Sequence, residues 1–157
     1  MQSAGILLFR VAGGAPEVLL VHPGGPFWAK KDLGAWSIPK GECEDGEGPR
    51  ECALRELEEE LGAVPALAAD SLIDLGSVRQ KAGKVVHAWA AEGDFDPAAL
   101  RSDTFTIEWP PRSGVQREFP EVDRAEWFAP AAARRKILAA QVAFIDRLLE
   151  RIENRAE

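Results

Sequence analysis

The sequence predicts an α/β sandwich, and three observations predict it. Short apolar runs lie between turns rich in Gly and Pro, one helical stretch interrupts them in mid-chain, and a second helical stretch follows near the C-terminal end. Strands and helices mixed in this order bury their apolar faces as packed layers. At 157 residues the chain suits a single domain, residues 1–157, large enough to bury a core.

The elements follow in order. Ala4 to Val11 (AGILLFRV) and Glu17 to Val21 (EVLLV) flank a Gly-Gly-Ala-Pro turn and read as buried strands. A loop from His22 to Leu33 (HPGGPFWAKKDL) carries Phe27, Trp28, Lys30 and Lys31, and Ala35 to Ile38 is short and extended. Gly48-Pro49 starts a helix, because Gly caps and Pro at the first helical position gives up an N–H that has no partner there. Gly62 stops it, since a glycine past the last turn tolerates the left-handed conformation. Between them Leu54, Leu57 and Leu61 form one stripe, while Glu56, Glu59 and Glu60 share a face pointing almost the other way.

Ser71 to Arg79 and Lys84 to Ala90 bracket the turn Gln80-Lys81-Ala82-Gly83 and read as a hairpin. Residues 92 to 117 form a polar, Pro-containing insertion, with a helical signal around Pro97 to Leu100. Val122 to Phe128 reads as a short strand or turn. From Ala131 to about Asn154 the residues Leu138, Val142, Ile145, Leu149 and Ile152 recur at helical spacing, predicting one long amphipathic helix. No internal repeat and no linker divides the chain.

Charge has an informative location. The net charge is −7, and residues 41–60 hold nine acids and two bases, so the remainder is neutral. No basic patch of the kind a nucleic-acid surface needs is evident. No apolar run is long enough to span a bilayer, and no signal-peptide pattern opens the chain, so a cytoplasmic protein is expected. Cys43 and Cys52 lack metal-ligand spacing, and two cysteines do not make a disulfide framework. They read as free thiols, with Cys52 on the carboxylate face of the helix and a redox or metal role as the alternative.

Three carboxylates on adjacent turns repel one another, by a few tenths of a kcal/mol per exposed pair. A solvated acidic face would tolerate that. A divalent cation reverses the sign, because Mg²⁺ takes carboxylate oxygens together with phosphate oxygens. Arg55 lies where it can neutralise and orient part of the cluster. The acids around Gly46 lack the alternation and closing Glu of a calcium loop.

Residues 41–63 decide between these. They fit G-x5-E-x7-R-E-U-x-E-E-x-G-U, with U a bulky aliphatic, through Gly41, Glu47, Arg55, Glu56, Leu57, Glu59, Glu60 and Gly62. Only the last position departs, being Ala63. This is the signature of the Nudix hydrolases, which the chain strongly resembles. His22 to Glu42 looks like one bacterial group of that family, described as predicted nucleoside triphosphate pyrophosphohydrolases.

The resemblance implies a curved mixed sheet between helices, with the box as a loop–helix–loop. It implies a Mg²⁺-dependent (or Mn²⁺-dependent) pyrophosphohydrolase that cleaves a phosphoanhydride. Glu59 and Glu60 are then metal ligands, Glu56 a ligand or general base, and the Gly41 carbonyl completes the shell. Glu47 steadies the loop–helix–loop, with Arg55 as its candidate partner. Family members often add an acid from a later loop; Glu118 and Glu121 are the candidates, with Glu121 favoured.

For substrate, Phe27, Trp28 and Trp36 are candidates to stack on a base. Lys30, Lys31, Lys40, Arg79 and Lys84 are candidates to meet phosphates, and Lys40 has the best position. His22 and His87 match no metal pattern and read as surface or core residues. A nucleoside triphosphate or a dinucleoside polyphosphate is the expected substrate, and an oligomer is possible. The other readings are a Nudix-fold nucleotide-sensing module without turnover, and an enzyme of non-nucleotide diphosphates.

Overall fold

The computed structural model describes residues 2–62, Leu67 and residues 71–155. Ala63, the last position of the box, lies outside the described residues.

The central strand β1 (Gln2–Ala12) is buried along most of its length, and β2 (Ala15–Pro23) pairs antiparallel with its second half. The short β3 (Lys40–Glu42) pairs antiparallel with the first half of β1, through Ser3, Ala4 and Gly5. Helix α1 (Pro49–Leu61) follows. The expected hairpin is present as β4 (Ile73–Arg79) and β5 (Val85–Glu92), and β5 runs parallel to β1. The sheet is therefore mixed, in the order β4-β5-β1-β2 and then β8 (Val122–Phe128), with β3 beside β1.

Alternation along the strands sends side chains to two cores. On one face Ile6, Leu8, Leu19 and Val21 meet Ala53, Leu57 and Leu61 of α1. On the other, Leu7, Phe9, Val18 and Leu20 meet Phe144, Ile145 and Leu148 of the C-terminal helix. A sheet covered on both faces explains why β1 reads as a continuous apolar run. The layers form the α/β/α sandwich that the resemblance implies.

Two expectations need correction. The helix expected from Ala131 to Asn154 is broken into α2 (Pro130–Lys136), a 3₁₀ turn over Ala139–Gln141 and α3 (Val142–Arg155). Extended Trp36 inserts at the break: its N–H donates to the Lys136 carbonyl at 2.9 Å, and its carbonyl accepts from Leu138 N–H at 2.8 Å. The insertion over 92–117 contains a hairpin that its polarity conceals, β6 (Thr104–Glu108) with β7 (Gln116–Pro120). The helical signal within it is a 3₁₀ turn, Pro97–Ala99, capped by Asp96. Among the described residues no helix is long and apolar enough to cross a membrane.

Candidate active site

The site is built on the path from β3 into α1. Gly48 caps α1 and Pro49 occupies its first position. At the other end Gly62 adopts φ 91°, and its N–H donates to the Glu58 carbonyl at 2.7 Å. Gly41 is needed for a different reason. A Cβ there would lie 2.1 Å from the Glu56 carboxylate, so only a glycine lets that carboxylate rest against the β3 backbone.

Arg55 holds the loop and the helix together. Its Nε and Nη2 donate to the two oxygens of Glu47 at 2.8 and 2.9 Å, and Nη2 also reaches the Glu42 carbonyl at 3.1 Å. Its Nη1 donates to Glu56 at 2.9 Å and to Glu59 at 3.1 Å. This paired fork, with the Glu44 N–H, holds the Glu47 carboxyl down to about 2. The same bond to Glu47, ahead of Glu59 and Glu56, raises the guanidinium above its ordinary value.

The remaining carboxylates shift the other way. Burial pushes Glu60 up to about 8, although the Lys40 N–H donates to it at 3.2 Å and the Lys40 charge opposes the shift. Burial also raises Glu56, with Glu59 adding to the shift and Arg55 opposing it. Glu121 is raised by burial and then by Asp103 and Glu59. Lys40 is lowered, because burial outweighs the attraction of Glu60. Negative groups are thus gathered where water stabilises them poorly, and protons or cations are favoured there.

A cleft of about 200 Å³ opens beside them, lined by Lys40, Glu60 and Glu121 together with Trp28, Ser37 and Leu138. Glu121 sits between β7 and β8, where its N–H donates to the Asp103 carbonyl and its carbonyl accepts from Gly24. The structure therefore brings Glu121 to the box carboxylates. It does not bring Glu118, which is exposed on β7 opposite Thr106.

Of the expected substrate contacts, Lys40 and Trp28 line the cleft. Lys30 is exposed and does not line it. Trp36 is buried in the core: it packs edge-on against Phe128 and His22, and its Nε1 donates to Asp32 at 2.8 Å. Phe27 is exposed and meets Trp109 edge-on. His22 is buried between Asp123 and the Lys31 carbonyl, and His87 stacks on Trp89.

The cysteines correct another expectation. Cys43 and Cys52 are joined in a disulfide with a Cα–Cα separation of 5.3 Å, so neither is a free thiol. Cys52 is fully buried among the residues that pack α1 on the sheet. The spacing of nine residues did not reveal the pairing, because the loop folds back on the first turn of the helix.

Sequence reasoning also missed Asp103 and Arg101. They line a second hollow, of about 520 Å³, with Arg55, Glu58 and Glu59. Asp103 N–H donates to the Glu59 carbonyl and Arg101 N–H to the Leu61 carbonyl, which lays this segment along the end of α1. Within a polar insertion nothing distinguishes these two residues from solvated ones.

The donors are hard oxygens, carboxylates from α1 and the β7–β8 loop around the Gly41 backbone, and this set suits Mg²⁺ or Mn²⁺. It does not suit a soft metal, as the sulfurs beside it are bonded to each other.

Comparison with known proteins agrees with this architecture. The family model of the NUDIX domain matches residues 1–148. A nucleoside triphosphate pyrophosphatase/Nudix hydrolase fusion protein of Bifidobacterium longum (strain NCC 2705) is 31% identical over 148 residues, covering 88% of this chain and 29% of that protein. An RNA pyrophosphohydrolase of Erythrobacter litoralis (strain HTCC2594) is 53% identical over 38 residues, covering 24% of this chain and 23% of that protein. The chain thus spans less than a third of the length of either relative. Among solved structures, a C. elegans Ap4A hydrolase binary complex superposes with a TM-score of 0.67 at 20% identity, covering 98% of each chain. The NUDIX domain of Shewanella oneidensis NrtR, complexed with ADP ribose, gives 0.65 at 22% identity, covering 97% of this chain and 88% of that one. The match of the NUDIX model over nearly the whole chain, on a site with the box carboxylates in place, shows that the chain belongs to the Nudix family.

Proposed function

We propose that the protein is a Mg²⁺- or Mn²⁺-dependent pyrophosphohydrolase of nucleotides that carry at least a diphosphate. The observation that carries this reading is the clustering of Glu56, Glu59, Glu60 and Glu121, with Glu56 against Gly41, Glu60 bonded to the Lys40 N–H, and Glu60 and Glu121 on the wall of a cleft. A fold gains nothing from crowding four acids in a half-buried site unless a cation is to be held there.

In this reading Glu59, Glu60 and the Gly41 carbonyl hold the ion, and Glu121 supplies an oxygen from the facing loop. Such an ion, when bound, cancels phosphate charge and acidifies a coordinated water. The remaining work belongs to the chain. Arg55 fixes Glu56 and Glu59 in position, and Glu56 holds or accepts a proton from the attacking water. Lys40 faces the phosphates, and Trp28 offers a face to the base. Burial of the acids strengthens their attraction for the cation that offsets their repulsion of the phosphates.

Nucleoside triphosphates and dinucleoside polyphosphates are placed ahead of nucleotide sugars. The aromatic and basic approach from Phe27 to Lys40 supports that order. A cytoplasmic location is part of the same proposal.

The test is phosphate or pyrophosphate release from a panel of nucleotides and of isoprenoid and inositol diphosphates, with Mg²⁺, with Mn²⁺ and with excess EDTA. Turnover of nucleotides should require the metal, and Glu59→Gln and Glu60→Gln should each lower kcat by at least ~10², the scale of a key electrostatic group. Nucleotide binding without turnover would support a sensing module instead. Full turnover in EDTA would contradict the site.

A further inference from the structure

The cleft has a support that does not line it. Val21 and Pro23 of β2 face the cleft, and His22 between them does not. Successive side chains of a strand point to opposite faces, so His22 turns away from any substrate. It is fully buried and meets Trp36 edge-on. Its Nδ1 lies 2.8 Å from a carboxylate oxygen of Asp123, and its Nε2 lies 2.6 Å from the Lys31 carbonyl. Both partners are acceptors, so each bond takes a proton on its own ring nitrogen. The imidazole is a two-ended donor between two elements.

The backbone on both sides is arranged around it. His22 lies opposite Arg124 in the β2–β8 ladder, whereas Pro23 lies opposite Val122, which leaves Asp123 as an extra residue. A bulge of this kind re-aims a side chain, and here the re-aimed carboxylate meets His22. Two residues earlier stands Glu121, on the cleft wall. At the other end of the ring, the Lys31 N–H donates to the Trp28 carbonyl at 2.9 Å, closing the turn that carries Trp28. The Lys31 ammonium lies 4.9 Å from the Trp28 ring, while Ala29 and Lys30 within the turn are exposed.

Stability alone does not account for this arrangement. A buried imidazole gives up hydration that its two bonds at best repay, and an apolar side chain would fill the same space without that cost. β8 is fixed by its ladder with β2, so the clamp acts on the turn. We propose that His22 is a positioning residue: by holding the Lys31 carbonyl to Asp123 it sets Trp28 against the cleft, and so fixes where the base of a nucleotide lies relative to the box carboxylates. This rests on the nucleotide reading above and adds to it the group that holds the base-binding wall in place.

Calorimetric affinities for ADP and for inorganic pyrophosphate, measured on the full chain with Mg²⁺, test it, because only ADP carries a base. His22→Gln keeps one amide donor group but cannot reach both acceptors. It should weaken ADP about tenfold, the scale of one base–aromatic contact, and leave pyrophosphate within about twofold. In a Trp28→Ala background the same substitution should change ADP affinity by less than about twofold, since it acts through Trp28. Asp123→Ala removes the other end of the clamp at a partly exposed position, and should weaken ADP about threefold or more even where His22→Gln folds poorly. Equal weakening of both ligands, additive losses with Trp28→Ala, or ADP binding untouched in Asp123→Ala would overturn the proposal. Hydrogen exchange of the ligand-free proteins separates it from the nucleotide reading. If ADP binds the wild type no more tightly than pyrophosphate, that reading fails; faster exchange over residues 24–34 in His22→Gln would still uphold the clamp on the turn, and unchanged exchange there would overturn it.

Discussion

Glu60 stands where burial works against its charge, and that has a measurable sign. Its folded value of about 8 lies above the ordinary 4.5, so between these values the native protein holds a proton that the unfolded chain has released. The stability this group contributes is complete below about 4.5 and is lost as pH rises through about 8. Glu47 runs oppositely: held near 2 by Arg55, it contributes above 4.5 and loses its contribution as pH falls toward about 2. Urea midpoints in EDTA between about pH 5 and about pH 9 should therefore fall for the wild type and stay flatter for Glu60→Gln. Parallel curves would mean that Glu60 ionises freely in the fold. The later-loop acid is decided at the same scale. Glu121→Gln should reduce both kcat and Mg²⁺ affinity, because Glu121 lines the cleft with Glu60, whereas Glu118→Gln should behave as wild type. Kinetics of the two variants across Mg²⁺ concentration checks this, and a silent Glu121→Gln would remove that residue from the site. The box residues were legible in the sequence because their spacing fixes a face. Trp36 was not, since nothing in a lone aromatic tells whether it faces a ligand or the core.

At the scale of elements, two staples fasten the loop after β3 to α1: the Arg55 fork on Glu47 and the Cys43–Cys52 disulfide. The disulfide closes a short loop. In the chain-entropy model, cross-linking a loop of about ten residues stabilises the fold by roughly 2–3 kcal/mol. A reducing agent, or the variant Cys43→Ser/Cys52→Ala, should lower stability by about that amount, read from urea midpoints with and without reductant. Unchanged midpoints would show that the bond constrains nothing the fold does not already hold. The strands and α1 were legible because capping residues and apolar runs act locally. The break in the C-terminal helix was not, for Leu138 keeps helical spacing in sequence while its N–H donates to the Trp36 carbonyl and the Trp36 N–H takes the Lys136 carbonyl. The β6–β7 hairpin was hidden for the converse reason. Its residues are largely exposed, so the alternation that marks a strand has little burial behind it.

On the scale of the whole molecule, two ordinary hydrophobic cores carry a locally unfavourable charge distribution. The cores hold α1 and α3 on opposite faces of the sheet, and that packing forces the carboxylates of α1 to stay together. Outside residues 41–60 the acids and bases balance, so the repulsion is confined to the site and a cation is its natural counterweight. A ligand that binds only the folded state raises stability by RT ln(1 + [L]/Kd), and the gain grows with free metal concentration. Millimolar Mg²⁺ should accordingly raise the melting temperature. At a pH of about 9, where Glu60 is ionised, the triple variant Glu56→Gln/Glu59→Gln/Glu60→Gln should melt above the wild type without metal, because it loses the repulsion, and should no longer respond to Mg²⁺. Arg55 tempers the first effect, as its bonds to Glu56 and Glu59 weaken when those acids become amides, whereas the pair with Glu47 remains. Differential scanning calorimetry of both proteins, with EDTA and with increasing Mg²⁺, separates the contributions. A wild-type melting curve indifferent to Mg²⁺ would make the crowded acids a solvated face after all.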